Sequence, residues 1–185
     1  MKSKVVVALA VLALAIGAGG CTGKQFEQAH QVIVQQAVYP AFSTEEKARL
    51  AASIVKASVV EVLPSKWDTP DGLEPADPRG HIIYTDAKMS VLQAWKGQIA
   101  VGNTITVRLL GGTVGTITMS AEDEVSVKPG EVVYLLLGQL PNNRQSDTWN
   151  IWHQGKFVRL ENGLLTNGVT TMSPDEFAKL ASSAR

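Results

Sequence analysis

The chain has 185 residues, of which 17 are basic, 17 are acidic and one is a cysteine. This composition argues against a nucleic-acid partner, because a surface that binds phosphates needs clustered Lys and Arg, and here these residues are spread thinly. A single cysteine cannot form an internal disulfide, so redox chemistry and thiolate metal sites are not expected.

The N-terminal segment has the three parts of a secretory signal peptide. Residues 1–4 supply a basic start, residues 5–16 an apolar run, and residues 17–20 a small-residue cleavage zone that leads into Cys21. The apolar run is shorter than the roughly 20 residues of a transmembrane helix. This pattern resembles the lipobox of prokaryotic lipoproteins, which implies cleavage before Cys21, acylation of its thiol and an extracytoplasmic location on the membrane. Because Ala18 stands where most lipoboxes carry Leu, plain secretion is the alternative.

Three segments follow from this interpretation. Residues 1–20 form a lipoprotein signal peptide, residues 21–42 a Gln-rich tether or weakly amphipathic helix, and residues 43–185 a single domain. Loss of Lys2 and Lys4 with the signal leaves 15 basic and 17 acidic residues, a formal charge of −2. The remaining chain is long enough to bury a core without disulfides.

Sequence patterns after the tether predict a helix, a strand and a loop. Ser43-Thr44-Glu45-Glu46 is a capping box, which predicts a helix over residues 43–53. Apolar and polar residues alternate over 54–63, which predicts a half-buried strand. Residues 67–80 are rich in Pro, Gly and acidic residues, which is typical of an exposed loop.

Alternation predicts three further strands in the middle of the chain. The first covers residues 83–95 and places Trp95 on the apolar face of the strand. The second covers residues 104–109 and ends at a pair of glycines, and the third is a shorter strand over residues 114–119.

The last third of the chain combines turn signals with short apolar runs. It predicts an apolar central strand after a Pro-Gly turn, then two short strands, then a small hairpin bounded by Asn-Gly turns. These elements lie at residues 131–137, 149–153, 156–160 and 162–168. A second capping box, with Pro174 at the first helical position, predicts a C-terminal helix from Ser173 to about Ala181.

This order of elements predicts a mainly β fold. Consecutive strands without intervening helices cannot form a parallel sheet, because parallel pairs need long crossovers. We therefore expect an antiparallel, OB-like closed β-barrel flanked by short N- and C-terminal helices, since closure removes exposed edges. A β-sandwich is the alternative.

The chain is similar to a group of bacterial extracytoplasmic proteins of unknown function, which carry four short motifs in this order. They are Lys96-Gly97, Gly111-Gly112, Gly130-Glu131 and Gln154-Gly155-Lys156-Phe157. The resemblance covers about residues 43–160 and implies no known activity. A more distant likeness to the netrin-like domain of the tissue inhibitors of metalloproteinases implies an OB-type barrel. It does not imply inhibition. Those inhibitors chelate zinc through a free N-terminal cysteine held by disulfides, whereas Cys21 would be acylated and the chain has no second cysteine.

No motif predicts a metal or a cofactor. His30, His81 and His153 lack the spacing of metal ligands, and the acidic residues of 68–77 do not fit a calcium-binding loop. The glycines of 111–115 are not followed by the Lys-Ser/Thr of a phosphate loop.

The sequence therefore predicts a non-enzymatic, lipid-anchored binding module of the cell envelope, attached through Cys21, with a protein or envelope component as its partner. Trp67 and Trp152 are the candidate partner-binding residues, because exposed tryptophan is enriched at interfaces, although burial in the core is the default for both. A small extracytoplasmic hydrolase using His153, Asp147 and a serine is the alternative, and a structural envelope spacer is the third hypothesis.

Overall fold

A computed structural model describes residues 7–8, 30–35, 40–121, 125–139 and 148–184. The helices in these residues are α1 (Thr44–Leu50) and α2 (Pro174–Ser183). The strands are β1 (Val7–Ala8), β2 (Gln31–Gln35), β3 (Ser53–Val62), β4 (Lys66–Trp67), β5 (Ile83–Lys96), β6 (Thr104–Leu110), β7 (Gly112–Val114), β8 (Ile117–Ala121), β9 (Val132–Gly138), β10 (Thr148–Arg159), β11 (Leu165–Thr166) and β12 (Thr171–Met172).

Five strands close into a ring in the order β3, β5, β6, β10, β9 and back to β3. The fold is thus an OB-like β-barrel with flanking helices, and the predicted fold class is confirmed. Four of the ring's pairings are antiparallel, but β6 and β10 run parallel, contrary to the prediction of a purely antiparallel core. The chain between them, which includes β7, β8 and β9, is long enough for a parallel crossover.

The barrel interior is built from the apolar residues that alternate along the five strands. Side chains of one face of each strand point inward, as a period of two requires. The buried members from β3, β5, β6 and β9 are Val55, Ala57, Val59, Ala87, Met89, Val91, Ile105, Val107, Leu109, Val133, Leu135 and Leu137. Strand β9 pairs with both β3 and β10, so the prediction of a central strand there is confirmed.

Strand β5 is irregular where it passes along β3. Ala57 pairs with Val91 but Lys56 pairs with Gln93, so the strand carries an extra residue between these pairs. An extra residue reverses which side chains face inward beyond it. Trp95 therefore packs outside the barrel, and the prediction that it shares the inner face is wrong.

Helices α1 and α2 cover the outer side of the barrel around a cluster of aromatic rings. Phe177 of α2 lies at the centre of this cluster, with its ring centroid 5.5 Å from that of Trp95. The rings of Tyr134 and Phe157 are each 5.3 Å from Phe177, in edge-to-face geometry. This arrangement gives aromatic pairs a stabilisation beyond their buried area.

A second sheet, in the order β1, β2, β8, β7, corrects two predictions. Residues 114–119 do not form one strand, because a turn at Gly115-Thr116 separates β7 from β8. Residues 31–35 form a strand parallel to β8 and not part of a helix. Residues 21–29 and 36–39 of the predicted tether or helix lie outside the described residues.

The C-terminal part follows the predicted order with two differences. Strand β10 is a single strand over Thr148–Arg159, not two short strands, although an irregularity interrupts its pairing with β9. A small hairpin is present, but it is formed by β11 and β12, and Asn167-Gly168 lies in its turn and not at its boundary. The turn is closed by Asn167 N donating to Thr170 O at 3.2 Å. The predicted loop after Trp67 is mostly exposed, as its composition indicates.

Both helices begin with the predicted capping box. Ser43 N donates to the Glu46 carboxylate at 2.8 Å, while Glu46 N donates to Ser43 Oγ at 3.1 Å. Ser173 and Glu176 repeat this exchange at 2.6 and 3.2 Å. The hydrogen bond from the serine backbone N–H is the main cause that holds the pKa of each glutamate below its ordinary value.

We expect low pH to reduce the stabilisation that the two capping boxes give to the folded protein. A lowered pKa in the folded protein gives stabilisation that is present above the ordinary value of 4.5 and is lost as the pH falls through the folded value. The double variant Glu46→Gln, Glu176→Gln should therefore lose less stability than the parent between about pH 5 and pH 3. Urea-unfolding midpoints across this range measure the difference. Glu45→Gln, at an exposed position of the same helix, is the control, and parallel pH profiles for parent and double variant would contradict the prediction.

Candidate functional site

A pocket of about 260 Å³ opens between β10 and the segment that leads into α1. We call it the Trp152 pocket. Its described lining residues are Pro40, Phe42, Lys47, Gly138, Gln139, Asn150, Ile151, Trp152 and His153. Most of the accessible wall is carbon, so the pocket offers an apolar surface with a few polar groups at fixed positions.

The irregular part of β10 shapes this pocket. Ile151 pairs with Leu137 of β9, and Lys156 pairs with Leu135. The four residues 152–155 of β10 therefore lie opposite the single residue Leu136. Gln154 has φ +55, a left-handed conformation that is uncommon outside glycine. Gly155 has no room for a side chain, since a Cβ would lie 2.7 Å from Trp152 O. Asn167 Nδ2 donates to Gln154 O at 2.8 Å and holds the irregularity in place.

Lys47 brings a buried positive charge to the wall of the pocket. The residue is 5% exposed, and its Nζ donates to Gln154 Oε1 at 2.8 Å. It forms no ion pair with a carboxylate of the described residues. Burial lowers the pKa of Lys47, because removal from water disfavours the charged ammonium.

Two aromatic rings form the apolar part of the wall. Phe42 and Trp152 are in edge-to-face contact, with ring centroids 6.4 Å apart and planes at 76°. The ring of Trp152 also lies close to Gly138, where a Cβ would be 3.1 Å from Nε1. The Trp152 indole N–H is buried and has no acceptor among the described residues.

The two tryptophans singled out from the sequence have different surroundings. Trp152 is half-buried and lines the pocket. Trp67 is fully buried against Ile83, Ile117 and Met119, so the expectation that it offers an exposed ring to a partner is wrong. Its position at the start of a Pro-rich loop suggested exposure, but β4 pairs with β5 and draws the ring inward.

The residues of the hydrolase alternative are not brought together in the described part of the chain. His153 lines the pocket, while Asp147, like Cys21, lies outside the described residues. His81 Nδ1 lies 2.8 Å from Asp68 Oδ1, which is the geometry of a base and its orienting group. No serine among the described residues hydrogen-bonds to His81, so a nucleophile is missing from this pair.

A second polar cluster lies on the surface of β5 and β6. Asp86 is 6% exposed and accepts hydrogen bonds from Arg108 Nε at 2.8 Å and Nη2 at 3.0 Å. The Asp86 hydrogen bond raises the pKa of Arg108, whose guanidinium lies 3.7 Å from the centroid of the Tyr84 ring. Asp86 also lies 3.7 Å from Lys66 Nζ, so one carboxylate is shared by two cations and is not free to act as an acid or base.

A larger cleft of about 710 Å³ lies at one end of the barrel, beside Trp149. Its polar side chains are uncharged, and all of them are exposed: Gln98, Asn103, Thr104 and Gln139. Asn103 Oδ1 accepts from Ala100 N at 3.0 Å, but none of the described polar side chains of this cleft carries a charge, so the cleft lacks the buried cation of the Trp152 pocket.

The described residues contain no group of three or more His, Cys, Asp or Glu side chains placed to hold a metal ion. No helix in this part of the chain has the length and apolar character needed to cross a membrane.

Comparison with known proteins identifies no family for this chain. No protein-family model matches the chain, and no curated protein matches it significantly.

Sequence reasoning missed Lys47, Phe42 and Gln154 as parts of one site. Lys47 and Gln154 are 107 residues apart, and no local pattern links them. The available signal was the Gln154-Gly155-Lys156-Phe157 motif, because a glycine inside a strand pattern often marks a bulge.

Proposed function

We propose that this protein is an extracytoplasmic binding module, anchored to a membrane by a lipid on Cys21, that binds an envelope component in the Trp152 pocket. The observation that carries the proposal is the pocket itself, where apolar walls surround a fixed, buried cation. Concave apolar sites with a few convergent polar groups are the usual form of ligand pockets.

The N-terminal sequence supports the anchor. Cys21 precedes Gln31, the first residue of β2, by ten residues. At about 3.3 Å per extended residue, this segment would hold the domain within roughly 30 Å of the lipid. The module would therefore meet ligands that are in the membrane or close to its surface.

Intact-mass analysis and membrane fractionation test the anchor. We expect a mature protein that begins at Cys21, carries acyl chains and sediments with membranes. Cys21→Ser should be unacylated and should lose membrane retention of the mature form, while Thr22→Ser, one residue later, should behave as the parent does. A mature N-terminus elsewhere, or an unmodified Cys21, would overturn the lipoprotein proposal.

Site-specific photocrosslinking in intact cells tests the binding site. A benzophenone amino acid in place of Pro40, which is exposed and lines the pocket, should yield a discrete adduct with an envelope component. The same amino acid in place of Leu73, which is 64% exposed in the loop after β4, should not. Identical adducts from both positions, or none from position 40, would count against the pocket as the binding site.

A further inference from the structure

The charge of Lys47 restricts which ligands the Trp152 pocket can accept. An ammonium group has three N–H donors, but toward the described residues Lys47 uses one, to Gln154 Oε1 at 2.8 Å. The residue is 5% exposed, which leaves little access for water to complete its shell. An amide oxygen is neutral, so the buried charge has a hydrogen-bond partner but no counter-ion among the described residues. This is unfavourable in an apolar environment.

The position of the ammonium is fixed by several other contacts. Gln154 reaches Lys47 from a left-handed backbone conformation with φ +55, and Asn167 holds the Gln154 carbonyl. Asn167 is itself fixed, because its Oδ1 accepts from Thr170 N at 2.7 Å. Backbone conformations of this kind cluster at ligand sites, where the surrounding structure maintains them. The fold thus holds the cation at the pocket wall and prevents it from extending into solvent.

We propose that the Trp152 pocket binds a small monocarboxylic acid with an apolar body, whose carboxylate pairs with the Lys47 ammonium. The inference rests on the proposed function, since it names the ligand class of the same pocket. Lys47 is the one Lys or Arg among the described lining residues, which matches a single negative charge. The rings of Phe42 and Trp152 provide the surface for the apolar body.

The size and donor set of the pocket narrow the ligand further. Its volume of about 260 Å³ is just below the range of about 300–1,000 Å³ that is usual for drug-sized ligands. An acid as small as hexanoate or phenylacetate is therefore the expected size. A phosphate monoester fits less well, because it carries more charge and acceptors than one ammonium satisfies, and no guanidinium is present in the described lining.

Isothermal titration of the purified full chain tests the ligand class. Hexanoate and phenylacetate are the probes, with hexanol and hexylamine as matched molecules that have the same apolar chain as hexanoate and a different head group. We expect hexanoate to bind at least about tenfold more tightly than hexanol, because its carboxylate meets a charged donor. Hexylamine should not bind, since its ammonium would face that of Lys47.

Two variants separate the ion pair from the apolar contact. Lys47→Met should lose the preference for hexanoate over hexanol and retain hexanol binding. Gln154→Glu places a carboxylate against Lys47 without a change of shape, so it should abolish hexanoate binding while the unfolding midpoint stays the same or rises. Lys56→Met is the control, because Lys56 lies over Tyr134 on the outer surface, with Nζ 5.5 Å from the ring centroid.

The outcomes distinguish the ligand class from the proposed function. Equal affinity for hexanoate and hexanol, or binding of neither acid, overturns the carboxylate proposal. So does a Gln154→Glu variant that binds hexanoate as the parent does, and this test holds even if Lys47→Met fails to fold. If position 40 still captures an envelope component in any of these cases, the binding function stands and the ligand class alone is wrong.

Discussion

Gly97→Ala is expected to destabilise the protein by about 3 kcal/mol or more, since it adds backbone strain to a steric clash. Gly97 has φ +90, and a Cβ there would lie 2.5 Å from Ala52 O and 2.9 Å from Ser53 Cβ. The neighbours cannot move easily, because Ser53 Oγ donates to Lys96 O at 2.8 Å and ties the same two segments together. Chemical denaturation of the parent and the variant measures the loss.

Gly102→Ala is the matched control for this prediction. Gly102 has φ +85, almost the same backbone conformation, but nothing lies within 4 Å of a Cβ placed there. Its variant should lose only the conformational contribution of about 1–2 kcal/mol. Equal losses for the two variants would show that the close approach at Gly97 contributes nothing.

Phe177→Ala is expected to cost about 3–5 kcal/mol, the usual range for removal of a fully buried aromatic ring. The ring is 0% exposed and contacts Trp95, Tyr134 and Phe157, so its loss leaves a cavity between α2 and the barrel. A loss of this size is a large fraction of the 5–15 kcal/mol that stabilises a typical domain. Urea unfolding followed by tryptophan fluorescence would report it, because Trp95 lies against the deleted ring.

Lys179→Ala provides the control on the same helix. Lys179 is exposed two residues after Phe177, and its removal should change stability by less than about 0.5 kcal/mol. If Phe177→Ala were equally mild, α2 would not depend on the aromatic cluster for its docking.

Much of the fold was predictable because its signals are local. Capping boxes set the starts of α1 and α2, and alternation of apolar residues located β3 and β6. A continuous apolar run after a Pro-Gly turn located β9. The features that were missed depend on pairing between distant segments. No sequence period reveals that Leu92 is an extra residue opposite β3, or that Trp67 is drawn into a core by β4.

The short motifs identified in the sequence have structural explanations that could not be derived from it. Lys96 Nζ donates to Ala48 O at 3.1 Å and to Arg49 O at 2.7 Å, and so satisfies carbonyls at the end of α1. Gly111 allows close approach to Met119 O, from which a Cβ would be 2.8 Å away. Gln154 binds Lys47, a contact made across 107 residues of chain. A resemblance to other proteins singled out these residues as motifs, and nothing in their spacing indicates their partners, which lie in other elements.

The closure of the ring by β10 determines the order in which the chain can fold. Trp149 pairs with Val107, and Ile151 pairs with Leu137 on the opposite side, so one late strand joins two separate edges. A chain that ends before residue 148 would leave β6 and β9 without this partner, and open strand edges promote association with other chains. Contacts of such long sequence separation also slow folding. The barrel therefore completes its folding only after synthesis has passed β10, and a C-terminally truncated chain should aggregate, not form a smaller barrel.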